Sequence, residues 1–90
     1  MWFLVLALST WDPPAQYTHD YTGELEVYLR HPSIIAEACG SPTARGCAKY
    51  DSEKCVIVAI DRPAYGTTPE AVIRHELGHC NGWPADHPER

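Results

Sequence analysis

Four cysteines spread through ninety residues constrain this chain more than any other feature. A domain this small buries only about 60% of the surface its unfolded form would expose, so a hydrophobic core alone leaves little stability in reserve. Cross-links or a bound metal must make up the difference. Cys39, Cys47, Cys55 and Cys80 contain no CxxC pair, the spacing from which thiolate zinc cages are built. They read instead as a disulfide framework, which points to an oxidising compartment, periplasmic or secreted. Reduced structural cysteines in a cytosolic protein are the alternative.

The apolar opening WFLVLALS has two readings. Ala7 and Ser9 stand like the small residues before a signal-peptidase cut, although no basic stretch precedes the run; equally, Trp2 to Leu8 can be a first buried strand. Residues 9–23 are rich in turn formers, and Pro13-Pro14 excludes helix, so residues 1–23 read as an apolar start followed by a loosely attached arm. The domain proper is then 24–90. Glu24 to Arg30 alternates Leu25, Val27 and Leu29 with polar residues, the period of a strand with one face on a core. Ser33 can cap a short helix through Ala38 that Gly40 stops. Cys47 to Tyr50 and Lys54 to Ile60 read as a hairpin with a β-branched second arm. Thr67 and Glu70 have capping-box spacing, and Pro69 fits a first turn, which starts a helix that runs to Cys80.

The fold expected from these elements is α+β: a small mixed or antiparallel sheet from residues 24–30 and 47–60, backed by the Ser33 helix and the helix that carries His75. Four cysteines allow three pairings. The pairs expected are Cys47 with Cys55, bracketing the hairpin, and Cys39 with Cys80, fastening one helix to the other.

Charge removes several function classes. Twelve acidic residues against seven basic ones, for a net charge of -5, do not make the positive field that phosphate backbones or anionic membranes select. No stretch reaches the 18 or so apolar residues of a membrane span. The chain is expected to act as a monomer.

The chemistry lies near the end, in HELGHCNGWPADH, His75 to His87. On a helix, residues four apart point the same way, so His75 and His79 can share one metal at about 2.0 Å each. Glu76 is turned away from coordination yet near enough to hold a water on that metal. Zinc lowers the pKa of bound water to about 7, and an adjacent carboxylate can take its proton during attack on a carbonyl. Gly82 permits the reversal that brings later residues back to the metal. Ala85 has nothing to donate; His87 is the expected third ligand, on the preference of zinc for imidazole, with Asp86 as the alternative. Trp83 is expected to wedge under the ligand loop. Tyr65, ahead of Gly66, can either polarise a substrate carbonyl or only pack its ring.

The segment His75 to Gly82, HELGHCNG, resembles the zinc-binding helix of the zincin metallopeptidases. The glycine three residues after the second histidine resembles the metzincin branch, whose pattern is HExxHxxGxxH or its aspartate variant. The wider arrangement ACG, GCA, CVIVAI and HELGHCNGW is similar to small bacterial and phage metallopeptidases. The chain departs from metzincins in having no methionine after the third ligand, Met1 being its only one. The resemblance implies a minimal zinc peptidase acting on a peptide or protein substrate, with Glu76 as general base. An edge of the CVIVAI hairpin could then align an extended peptide by strand addition. The rival expectation is a non-catalytic domain stabilised by structural zinc and disulfides. A metal-free, disulfide-stapled interaction module is a third.

Overall fold

The computed structural model describes residues 3–6, 12–85 and 87. The elements run β1 (Phe3–Leu6), a single helical turn (Ala15–Tyr17), β2 (Glu24–Arg30), α1 (Pro32–Cys39), β3 (Gly46–Tyr50), β4 (Lys54–Ile60) and α2 (Pro69–Cys80). The strands form one mixed sheet in the order β1-β3-β4-β2. β3 is antiparallel to both β1 and β4, while β2 is parallel to β4. The fold is α+β, a mixed sheet with two helices. β4, the KCVIVAI strand, has neighbours on both edges, the setting that a nearly continuous β-branched run suits. Both edges of the β3–β4 hairpin are therefore taken, by β1 and β2, and the expected strand addition of a peptide directly to that hairpin has no open edge to use.

Register decides which face each side chain meets. Cys47 stands opposite Val58 and Cys55 opposite Tyr50. Val58 and Cys55 are an odd number of residues apart, so the two cysteines project to opposite faces of the sheet. Cys47 bonds to Cys39 at the end of α1, and Cys55 bonds to Cys80 at the end of α2, with Cα separations of 5.8 and 5.9 Å. Each helix is thus tied to its own face. This overturns both expected pairs: a Cys47–Cys55 bracket needs the two on one face, and a Cys39–Cys80 bridge would have to pass through the sheet.

α2 packs on β3 and β4, and it comes close because Gly46 carries no side chain. A Cβ at Gly46 would lie 2.6 Å from Val72 Cγ1. Val72, Ala48, Ile57 and Ala59 are fully buried in the resulting core. The caps shift slightly from expectation. Thr68 rather than Thr67 caps α2, accepting from Ala71 N at 3.2 Å, and His31 rather than Ser33 caps α1, its Nδ1 accepting from Ser33 N at 3.1 Å. Gly40, at φ 73°, ends α1 as expected.

Two other expectations change. Leu25, Val27 and Leu29 share the α2 face with Cys55, Ile57 and Ala59, but α2 lies over β3 and β4, and the three keep 40%, 40% and 44% of their surface exposed. The apolar side of β2 does not meet the core. The arm, in contrast, is held on α2. Pro13 seats against Gly78, where a Cβ would collide with it; Arg74 pairs with Asp12 at 2.7 Å, and Asn81 Nδ2 donates to Tyr17 O at 3.0 Å. The strand expected from Trp2 to Leu8 is β1 over Phe3–Leu6; Trp2 and residues 7–11 lie outside the described residues.

Candidate metal centre

His75 and His79 lie one turn apart on the C-terminal half of α2. Both are fully buried, and their Nε2 atoms stand 3.3 Å apart. The helix then closes by a Schellman arrangement: Trp83 N donates to Gly78 O at 2.9 Å and Gly82 N to His79 O at 3.0 Å. Gly82 takes φ 103° at the residue where the chain reverses, a conformation costly for any residue that carries a side chain. The reversal drives Trp83 back under the helix end, where its ring is 1% exposed. It stacks on His79 at 4.7 Å between ring centroids and meets His75 and His87 edge-on at 5.1 and 4.9 Å.

Trp83 thus forms the floor beneath all three histidines. From it, a turn closed by His87 N donating to Pro84 O at 2.9 Å returns the chain. His87 sits in the left-handed region at φ 57°, a conformation that costs a non-glycine residue on the order of 1–3 kcal/mol unless its surroundings impose it. Its Nε2 reaches 3.0 Å from that of His79 and 3.1 Å from that of His75. His87 thus joins His75 and His79 in one cluster. Asp86, the alternative ligand, lies outside the described residues.

Three ring nitrogens within 3.0–3.3 Å of one another match the spacing of about 3.3 Å that tetrahedral bonds of 2.0–2.1 Å impose on two zinc ligands. The protonation pattern agrees. A carbonyl can only accept, so His79 Nδ1, 2.7 Å from Trp83 O, carries the hydrogen and Nε2 presents its lone pair. Burial pushes the His79 pKa down to about 4; nearby His75 and His87 push the same way, against the Trp83 carbonyl. His79 is neutral at physiological pH, the form in which imidazole binds a metal. His75, His79 and His87 can hold a metal ion.

Glu76 follows His75 on α2 and is equally buried, yet neither carboxylate oxygen has a hydrogen-bond partner among the described residues. Burial raises its carboxyl well above the ordinary 4.5. It is no member of the ligand cluster, whose atoms lie within 4.8 Å of one another. Tyr50, on the α2 face of β3, has its phenol raised first by burial and then by the Glu76 charge. Tyr65 occupies an exposed turn ahead of α2, where its carbonyl accepts from Arg45 Nε at 3.3 Å, away from the C-terminal half of the helix. Two contributors escaped the sequence reading: the Trp83 carbonyl, which orients His79, and Pro13 on Gly78. A glycine inside an otherwise regular helix was the available signal for the second.

No known protein family, curated protein or solved structure matches the chain.

Proposed function

We propose that the chain is a zinc-dependent peptidase or amidase of minimal zincin type, in which His75, His79 and His87 hold the ion and Glu76 is the general base. The observation that carries this reading is the buried Glu76 carboxyl with no hydrogen-bond partner among the described residues. A site that only held the fold together would need the three imidazoles and gain nothing from that carboxylate, whose desolvation costs several kcal/mol. Zinc would suit the donor set, because neutral imidazole is among its usual ligands and His75, His79 and His87 would hold it. When bound, zinc polarises a carbonyl and lowers the pKa of bound water to about 7. Glu76 takes the proton of the attacking water as the carbonyl carbon is attacked, and passes it to the leaving amine nitrogen as the C–N bond breaks. Its upward-shifted pKa brings it nearer the working pH than an exposed glutamate would be.

Metal analysis on protein purified without added zinc is expected to find one zinc per chain. Glu76→Gln is expected to keep that zinc and to lose about 10²–10⁴-fold in turnover of a generic peptide substrate. Equal turnover by variant and wild type would remove Glu76 from the mechanism. The second reading, a structural zinc in a non-catalytic domain, is favoured by one observation, the complete burial of His75 and His79. It requires the same metal content with no peptide hydrolysis by either protein.

A further inference from the structure

β2 is an edge strand whose outer side has no partner among the described residues. We infer that this edge pairs antiparallel with β2 of a second copy of the chain, with Val27 opposite its own counterpart, so that two sheets join into one. The backbone is aimed for it. Glu24 N donates to Glu53 O and Arg30 O accepts from Asp61 N, so the even-numbered residues of β2 direct their amide and carbonyl groups towards β4. Leu25, Val27 and Leu29 direct theirs to the open edge. In an antiparallel ladder centred on Val27, these are the residues that exchange hydrogen bonds, and all seven residues of the strand find a partner.

The side chains are self-complementary in the same register. On the α2 face, Leu25 meets the copy's Leu29, and Val27 meets Val27; these are the residues left 40%, 40% and 44% exposed. On the other face, Glu24 meets Arg30 of the copy and Glu26 meets Tyr28. Within one copy, Glu24 and Glu26 share Lys54, whereas Arg30 lies over the Tyr28 ring at 5.3 Å and makes no ion pair among the described residues. Centring the ladder on Glu26 instead would set two glutamates against each other, which disfavours it. An open, flat, apolar edge invites pairing with some chain; the pattern of charge and apolar residues in β2 selects its own copy.

Sedimentation velocity of the full chain, from micromolar to near-millimolar protein, is expected to show a reversible monomer–dimer equilibrium. Val27→Lys, which sets two ammonium groups face to face, is expected to raise the dissociation constant at least about tenfold. Because Val27→Lys could perturb the strand, Arg30→Glu is the second probe. It places two carboxylates opposite each other and should weaken the dimer, and adding Glu24→Arg should restore it by re-forming the opposite pair. Hydrogen exchange should protect the amides of Leu25, Val27 and Leu29 in the dimer and release them on dilution. A monomer at every concentration overturns the inference. So does a dimer indifferent to these substitutions, or an edge whose amides are protected only by an added extended peptide.

Discussion

His87 completes the site against its own backbone preference, at φ 57° on a turn hung from Pro84 and stopped by the Trp83 ring. A residue held in a strained conformation by its neighbours loses its placement only if they are removed. Zinc titration of His87→Ala is therefore expected to show more than about a 100-fold loss of affinity, above the range seen for groups that merely orient ligands; Asp86→Ala should change little. The reverse outcome would make Asp86 the ligand. His79 and Glu76 also give the metal-free domain an unusual pH dependence. The His79 pKa falls from 6.5 to about 4 on folding, so the unfolded chain binds more protons in that window, and the stability His79 contributes is lost as pH drops through it. Glu76 shifts upward from 4.5, so its contribution is lost as pH rises. Between 4.5 and 6.5 the two trends oppose each other. Urea denaturation of chelator-treated protein should thus show a rise in stability with pH that Glu76 blunts above 4.5, and Glu76→Gln should steepen the rise there. A variant profile no steeper than the wild-type one would remove Glu76 from the buried set.

At the level of elements, α2 was legible because its signals are local, although its cap is Thr68, one residue beyond the Thr67 expected. Thr68, Pro69 and Gly82 lie within one or two residues of where the helix begins and ends. That His75 and His79 point the same way followed from helical period alone. The disulfides were illegible because pairing depends on hairpin register, which the Asp51-Ser52-Glu53 connection sets. A slip that brought Cys47 opposite Cys55 would have put both on one face; the observed register sets Cys47 against Val58. The face of β2 misled for a related reason: alternation reveals that a strand has an apolar side, not whether a helix is long enough to cover it. Non-reducing peptide mapping is expected to recover Cys39–Cys47 and Cys55–Cys80. Their sequence separations are 8 and 25, which in the chain-entropy picture correspond to about 2.5 and about 3.5 kcal/mol. Replacing Cys55 and Cys80 by alanine should be the costlier change in urea denaturation. It should also weaken zinc binding, because that bond anchors the end of the metal-bearing helix. Equal costs, with zinc affinity unchanged, would mean that packing on Gly46 positions α2 by itself.

At the scale of the whole molecule, the histidine cluster, one of the two disulfides and the arm converge on one helix. α2 carries two of the clustered histidines, ends in a disulfide, receives Pro13 on Gly78 and leads through Gly82 and Trp83 to the third, His87. The Nε2 atoms of His75, His79 and His87 lie within 3.3 Å of one another, with the His79 lone pair aimed among them. A metal ion held by all three would bind the folded state alone, because the unfolded chain does not assemble His75, His79 and His87. Binding is then linked to folding. Free zinc at 100 times its dissociation constant should add about 2.7 kcal/mol, and in a domain of this size each kcal/mol moves the thermal midpoint by roughly 4–8 °C. Chelation is therefore expected to lower the midpoint of the disulfide-intact protein by roughly 10–20 °C, reversibly on adding zinc back. His79→Ala should melt at one temperature with or without chelator. A wild-type midpoint indifferent to chelator and zinc would show that the three histidines do not bind the ion, and would remove the metal centre along with the catalysis built on it.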